Sequence, residues 1–239
     1  MGLEGFEPST PTSLRSKACE MLTSRALQRS ALSCARNQFL RPRLSYNPTS
    51  SKIKKSFINV CGLNTNMNKA IFLDKDGTIV DDAGSPYQIP SDKILLNDVE
   101  DGLRYLHQQG YLLFLISNQG WIAQKRLTIQ QVEGYFQNIV SQLRAKSIPI
   151  TAYYFCPHVT KDNCECRKPK PFFVLQAAKK YNIDISNSYF IGDTDKDIET
   201  GKNAGTKTIL VKTGQGKSCI DKVKADFIID NVNAVKKII

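Results

Sequence analysis

No stretch of this sequence is continuously apolar over the roughly 18 residues that a membrane-spanning helix needs. Hydrophobic residues nevertheless make up 41% of the 239 residues. That share is typical of a globular chain rather than a disordered one. The length suffices for one α/β domain with a sizeable core. We therefore expect a globular domain with no membrane partner.

Acidic residues are missing from a long stretch near the N-terminus, since residues 21–66 contain no Asp or Glu. Residues 1–66 carry ten Lys or Arg and three acids, whereas residues 67–239 carry 23 and 19, so most of the net charge of +11 belongs to the first segment. The modest excess in residues 67–239 is weak support for nucleic-acid binding, and we expect no nucleic-acid partner.

Three explanations for residues 1–66 are open. An organellar transit peptide is rich in Arg and Ser and poor in acids, as this segment is. A basic tail would bind nucleic acid or anionic lipid. The third is that the segment is not part of the native product, because Met67-Asn68-Lys69 directly precedes the first predicted strand and would make a natural start. We favour the third, with residues 1–66 a disordered or spurious extension and residues 67–239 the folded domain.

Cysteine is unevenly used. Three of the seven cysteines lie in one short stretch beside His158, namely Cys156, Cys164 and Cys166. Such clustering favours metal binding over disulfides, and hence a reducing compartment such as the cytoplasm. Three thiols and one imidazole form a closed tetrahedral Zn²⁺ site with no position left for water, so this zinc would be structural. The alternative is a reduced, Cys-rich loop with an exposed histidine.

From residue 67 onward, apolar runs alternate with segments of helical period. The second predicted helix begins with a capping box, Thr128 with Gln131. This alternation predicts a Rossmann-like, open, mainly parallel sheet with helices on both faces. The predicted strands are residues 70–73, 111–116, 152–155, 188–191, 208–211 and 227–229, and the predicted helices are residues 99–109, 128–146, 171–181, 195–204 and 232–238.

Two carboxylates one residue apart end the first predicted strand. Asp74 and Asp76 follow four apolar residues, and Gly77 allows a sharp turn after them. Open α/β sheets bind their ligands at the carboxyl ends of the strands. Two carboxylates this close repel unless a cation lies between them or one holds a proton. The stretch by itself is equally consistent with a solvated turn.

Further polar groups follow later strands, and the ends of parallel strands share one edge of a sheet. Their convergence indicates phosphoryl transfer. Asp74 would attack phosphorus, and Asp76 would act as general acid and then general base. Ser117 would hold phosphoryl oxygens, and Lys168 would neutralise their charge. Asp193 with Asp74 would hold Mg²⁺.

Asp197, one helical turn after Asp193, would orient Lys168 through a salt bridge. Each residue alone has an ordinary explanation. Ser117 with Asn118 is also a turn sequence, Lys168 is also a surface charge, and Asp193 is also a helix cap. Their joint occurrence in order at strand ends makes the ordinary explanation improbable.

The sequence Asp-Lys-Asp-Gly-Thr at 74–78, Ser-Asn-Gln at 117–119, Lys168, and Gly-Asp-Thr-Asp-Lys-Asp at 192–197 resembles the four ordered motifs of the haloacid-dehalogenase superfamily. An acid two residues after the nucleophile is typical of its phosphatases. In these enzymes the backbone carbonyl at the Asp76 position also binds Mg²⁺, so the resemblance implies Mg²⁺ ligands Asp74, Asp76 and Asp193.

The zinc loop that leads into Arg167 and Lys168 resembles the D-glycero-D-manno-heptose 1,7-bisphosphate phosphatases and the related histidinol-phosphate phosphatases. The resemblance implies zinc ligands Cys156, His158, Cys164 and Cys166. It also implies a set of substrate-binding positions, which are Asp82, Ala83, Gly84, Ser85, Ser117, Asn118, Gln119, Gly120, Arg167, Lys168 and Thr194.

The chain departs from the heptose branch after the second strand. Trp121 stands where that branch has Gly, and Gln124 where it has Arg. Trp121 would stack on a sugar ring or close the pocket, and Lys125 or Arg126 would supply the missing cation. The intervals between the motifs leave no room for a separate cap domain, so short loops would set specificity.

We therefore expect a monomeric, Mg²⁺-dependent phosphatase that acts on a small phosphorylated sugar, foremost heptose 1,7-bisphosphate. Histidinol phosphate is the second candidate substrate. A nucleic-acid 3′-phosphatase and a zinc-loop binding module without catalysis are the remaining alternatives.

Overall fold

The computed structural model describes residues 3–4, 67–81 and 95–239. The strands are β1 (Leu3–Glu4), β2 (Lys69–Leu73), β3 (Tyr111–Asn118), β4 (Ala152–Cys156), β5 (Tyr189–Gly192), β6 (Lys207–Val211) and β7 (Phe227–Ile229). The α-helices are α1 (Val99–Gln108), α2 (Ile129–Ala145), α3 (Phe172–Tyr181), α4 (Asp195–Ala204) and the short α5 (Gly216–Cys219).

These strands form one sheet in the order β1-β4-β3-β2-β5-β6-β7, and every pairing except β1 with β4 is parallel. The predicted mainly parallel sheet is confirmed. Strands β3 and β4 lie on one side of β2 in the sheet, and the chain then crosses over the sheet so that β5 lies on the other side of β2. The order therefore reverses between β2 and β5, which is where α/β sheets bind ligands.

The central strand β2 is buried on both faces, because its side chains alternate between two cores. Ile71 and Leu73 pack in the core covered by α1, α2 and the C-terminal 3₁₀ turns at Val232–Lys237. Ala70 and Phe72 pack in the opposite core, against α3. This arrangement explains the unbroken apolar run before Asp74.

For most elements, the boundaries predicted from local sequence signals lie within one or two residues of the observed boundaries. The capping box at Thr128 is present, and Gly205 ends α4 in the left-handed conformation that glycine tolerates. The last predicted helix is 3₁₀ rather than α. Of residues 1–66, the described pair Leu3–Glu4 forms an edge strand that the composition did not predict. No helix in the described ranges is long and apolar enough to cross a bilayer.

Candidate active site

The two carboxylates of the first motif leave the end of β2 into different surroundings. The Asp74 backbone N–H donates to the Ile191 carbonyl at 2.9 Å, which ties the end of β2 to the end of β5. Asp74 is 6% exposed, whereas the Asp76 side chain is 29% exposed. Two neighbouring acids thus have separate environments, as a nucleophile and a proton donor require.

Lys168 lies directly on the predicted nucleophile. Its ammonium donates to Asp74 Oδ1 at 2.5 Å, to Asp197 Oδ1 at 2.6 Å and to the Ile116 carbonyl oxygen at 3.1 Å. These bonds use the three N–H donors of a lysine. The predicted salt bridge between Lys168 and Asp197 is confirmed. The contact with Asp74 was not foreseen, and it balances the buried nucleophile's charge.

The electrostatics of this cluster follow from its burial. Burial raises the pKa of Asp74 well above its usual value; Lys168 opposes this shift, and the carboxylates of Asp197 and Asp193 add to it. Burial by itself lowers the pKa of Lys168, but Asp197 and Asp74 together raise it above its usual value. Lys168 therefore remains charged.

Asp193 follows β5 and is held tightly in place. A Cβ on Gly77 or Gly214 would lie 2.3 or 2.2 Å from Asp193 Oδ2, so both glycines are needed for the close approach. The Gln215 backbone N–H donates to the same oxygen at 2.8 Å. Burial raises the pKa of Asp193 to about 6, against the opposing effect of the Gln215 N–H.

Three carboxylates form a candidate cation site. One oxygen each of Asp74, Asp193 and Asp197 lies within 4.8 Å of the other two. Asp197 also accepts from Lys168 through Oδ1 and from the Thr194 hydroxyl through Oδ2, at 2.5 Å. Asp74 and Asp193 therefore fit best as the ligands of a hard cation such as Mg²⁺, which prefers carboxylate oxygens.

The end of β3 supplies the next predicted group. Ser117 is 2% exposed, and its Oγ accepts from Gln119 Nε2 at 2.9 Å. Gln119 Nε2 also lies 3.1 Å from Asp76 Oδ2. Since its oxygen accepts from Gln119, the Ser117 hydroxyl keeps its own hydrogen to donate. Gln119 therefore links two site residues, in addition to its predicted place in the pocket wall.

Asn118 and Gly120 join β3 to the loop that carries Lys168. Asn118 Oδ1 accepts from the Lys168 backbone N–H at 3.0 Å, and Asn118 Nδ2 donates to the Lys168 carbonyl at 3.2 Å. A Cβ on Gly120 would lie 3.3 Å from the His158 carbonyl oxygen. These two predicted substrate-binding positions therefore have structural contacts of their own.

Many of the groups described above line one cavity of about 230 Å³, whereas Asp193 and Asp197 are not among its lining residues. Two of its lining residues were not predicted site residues: Lys196 and Gln215. Gln215 lies in the loop after β6, so the strand-end argument that found Asp193 would also have found it. The full lining is Asp74, Asp76, Ser117, Asn118, Gln119, Trp121, Arg167, Lys168, Thr194, Lys196 and Gln215.

Two sequence-based predictions about the pocket wall have different outcomes. Trp121 forms part of the wall and packs against the core, with the Arg126 guanidinium 5.2 Å from its ring centre. The predicted substrate-binding residues Asp82, Ala83, Gly84 and Ser85 lie outside the described residues.

The Cys/His loop brings four candidate metal ligands together. The ligand atoms of Cys156, His158, Cys164 and Cys166 lie within 4.8 Å of one another. Neighbouring pairs are 3.4 to 3.7 Å apart. A tetrahedron with Zn–S bonds of about 2.3 Å has edges of about 3.8 Å, so the set fits zinc.

The same loop positions a pocket cation. Arg167 Nη1 donates to the His158 carbonyl oxygen at 2.6 Å. The cysteines are free thiols in the structure, and burial raises the pKa of Cys156. The candidate zinc ligands and the pocket residues Arg167 and Lys168 thus lie on one continuous stretch of chain.

Comparisons with known proteins identify the family of the chain. A family profile described as HAD-hydrolase-like matches residues 165–235. The D-glycero-β-D-manno-heptose-1,7-bisphosphate 7-phosphatase of Pasteurella multocida is 36% identical over 180 residues, which cover 72% of this chain and 97% of that protein. The Haemophilus influenzae protein of the same name is 34% identical over 180 residues, with the same coverage.

A solved structure matches as well. The D,D-heptose 1,7-bisphosphate phosphatase from B. bronchiseptica, complexed with magnesium and phosphate, has a TM-score of 0.65 and 25% identity. The match covers 71% of this chain and 96% of that one.

The fold and the cluster at the ends of β2 and β5 define a phosphatase of the haloacid-dehalogenase-like class. Within that class, the chain belongs to the D-glycero-β-D-manno-heptose-1,7-bisphosphate 7-phosphatase family.

Proposed function

We propose that this chain hydrolyses the 7-phosphate of D-glycero-D-manno-heptose 1,7-bisphosphate through an aspartyl-phosphate on Asp74. The observation that carries the proposal is the buried Lys168–Asp74 contact beside the cation-binding carboxylates. The family relatives and the heptose phosphatase structure support the substrate.

Two steps account for the reaction. In the first, an Asp74 oxygen bonds to phosphorus while the bond from phosphorus to the sugar oxygen breaks, and Asp76 gives its proton to that oxygen. In the second, Asp76 takes a proton from water as the water oxygen attacks phosphorus. Inorganic phosphate leaves, and the Asp74 carboxylate is restored.

The surrounding residues bind and neutralise the phosphate. The Ser117 hydroxyl donates to a phosphoryl oxygen, and Lys168 keeps the Asp74 site electrically balanced. Asp74, the backbone carbonyl of Asp76, and Asp193 would hold Mg²⁺, which would offset phosphoryl charge. Cys156, His158, Cys164 and Cys166 would hold a structural Zn²⁺.

Two cations support a bisphosphate substrate. Arg167 and Lys196 line the cavity in addition to Lys168. We assign them to the phosphate that is not cleaved. Thr194 would contribute through its position in the wall, because its hydroxyl is engaged with Asp197. We place the enzyme in the cytoplasm, where thiolates remain available for zinc. We also propose that it acts as a monomer.

A phosphate-release screen tests this function. Heptose 1,7-bisphosphate, histidinol phosphate and 3′-phosphorylated DNA are compared, and the heptose should give the highest kcat/KM. Asp74→Asn should abolish turnover while the far-UV circular dichroism stays unchanged. Retained turnover in that variant would falsify the nucleophile assignment, and preference for another substrate would overturn the heptose assignment.

A further inference from the structure

A buried lysine in the first motif has no part in the reaction described so far. Lys75 is 1% exposed, although it lies between the two reactive carboxylates in the sequence. Burying an ammonium group costs free energy unless it is paired. Its nitrogen pairs with Asp76 Oδ1 and lies 4.8 Å from the Tyr135 ring centre and 5.9 Å from that of Phe136.

Asp76 is held from both sides. Lys75 binds Oδ1, and Gln119 Nε2 donates to Oδ2 at 3.1 Å. Gln119 is itself fixed, because its side chain binds Ser117 Oγ at 2.9 Å and its backbone N–H donates to the Cys156 carbonyl at 2.7 Å. The carboxyl group therefore cannot turn away from the pocket without breaking a charge-assisted bond.

We propose that Lys75 is a positioning residue that, together with Gln119, aims the Asp76 carboxyl group at the leaving oxygen. The proposal rests on the role of Asp76 in the proposed function. Lys75 is paired with Asp76, has two α2 aromatic rings near its ammonium and is not among the residues that line the cavity. It would therefore act through that carboxyl group rather than on the substrate. Proton transfer depends on placement, and an error of about 1 Å costs on the order of 100-fold in rate.

Leaving-group dependence separates positioning from general structural damage. An alkoxide needs a proton as it leaves, whereas p-nitrophenolate is stable without one. The ratio kcat/KM includes only steps up to departure of the leaving group, so later hydrolysis of the aspartyl-phosphate does not enter it. Heptose 1,7-bisphosphate and p-nitrophenyl phosphate therefore form the diagnostic pair.

The experiment compares Lys75→Met and Lys75→Arg with wild type on both substrates. Lys75→Met should lower kcat/KM for the sugar phosphate roughly 10- to 100-fold and for p-nitrophenyl phosphate less than about 3-fold. Lys75→Arg should restore most of the loss because it keeps the charge. Lys69→Met, at an exposed lysine at the start of β2, is the matched control and should match wild type on both substrates.

A double-variant cycle completes the test. In an Asp76→Asn background, Lys75→Met should cause no further loss on the sugar phosphate. Equal losses on both substrates, no loss on either, or an additive loss in that background would overturn the proposal. If Lys75→Met does not fold, Lys75→Gln takes its place under the same criteria. A wild type that hydrolyses neither substrate would instead refute the proposed function.

Discussion

One carboxylate oxygen each of Asp74, Asp193 and Asp197 lies within 4.8 Å of the other two, but the three acids do not share the same partners. Lys168 pairs with Asp74 and Asp197, whereas Asp193 receives a backbone N–H from Gln215. Asp193 is thus the acid of the three without a lysine partner among the described contacts. At the scale of single residues, this difference makes Asp193 the group most dependent on a bound cation.

Magnesium binding should therefore depend on pH through Asp193. Its pKa of about 6 in the folded protein exceeds its usual 3.8. Between pH 3.8 and about 6, the ion-free folded protein keeps a proton on Asp193 that the unfolded chain has lost. The contribution of Asp193 to the free energy of unfolding therefore falls as pH rises through this range. Magnesium needs the carboxylate, so its stabilising effect should grow from about pH 5 to about pH 7.5.

Thermal unfolding with and without MgCl₂ across that range measures the effect. The increase in Tm on adding MgCl₂ should be small at the acid end and larger above pH 6. Asp193→Asn should remove most of the increase at every pH. An increase that is independent of pH in wild type would contradict the prediction.

Lys168→Met should destabilise the protein as well as inactivate it. The substitution leaves two buried acids, Asp74 and Asp197, without their cation. Removing one partner from a buried pair costs about 3–5 kcal/mol. Denaturant unfolding at neutral pH gives the value. Lys170→Met is the control, because its pair with Glu165 is exposed and should change stability by no more than about 1 kcal/mol.

At the scale of elements, loops that follow strands hold the site residues in place. The loop after β6 brings Gly214 against Gly77 and Asp193, and the Cys/His loop after β4 brings Arg167 and Lys168 to the pocket. Asn118 at the end of β3 holds the Lys168 backbone through two hydrogen bonds. A change in any of these loops should therefore affect activity.

Gly214→Ala should impair activity more than its backbone strain explains. Gly214 has a φ of +53°, and an added Cβ would lie 2.2 Å from Asp193 Oδ2. Gly110→Ala is a matched control, because Gly110 has a φ of +82° with no atom within 4 Å of the added Cβ. Both variants should lose roughly 1–3 kcal/mol of stability, but only Gly214→Ala should lose kcat/KM. Equal activities would contradict the contact argument.

Removing zinc should lower thermal stability and activity together. The hydrogen bond from Arg167 to the His158 carbonyl depends on the fold of the loop. A zinc-selective chelator in excess MgCl₂, followed by metal analysis, gives the zinc-free protein. Cys164→Ser should reproduce the loss, whereas Cys219→Ala, outside the cluster, should keep its activity per folded molecule. Unchanged activity in verified zinc-free protein would defeat the proposed role of the loop.

At the scale of the whole molecule, the proposed catalytic and metal-binding groups lie between residues 74 and 197. We predict that a chain of residues 67–239 folds and keeps the kcat/KM of the full chain. The shortened chain loses the pairing of Leu3–Glu4 with β4 at the sheet edge, away from β2 and β5. An inactive or unfolded product would contradict this prediction, and mass spectrometry of the native N-terminus would test residues 1–66 directly.

The sequence alone predicted the strand and helix pattern, the parallel sheet, the motif residues and the Cys/His set. These follow from short-range signals: apolar period, caps, turn residues and ligand spacing. Asp74, Asp193 and Lys168 could be found because each follows a recognisable strand or sits within a compact motif. The strand-end argument needed no knowledge of which strands are neighbours.

Only the tertiary structure decided what each side chain contacts. It paired Lys168 with Asp74 across 94 positions of sequence and joined Gln119 to Asp76 across 43. It also buried Lys75 in an ion pair with Asp76 and brought Gly214 into close contact with Asp193. These contacts depend on strand order and loop packing, which bring distant residues together in ways that local periodicity does not encode.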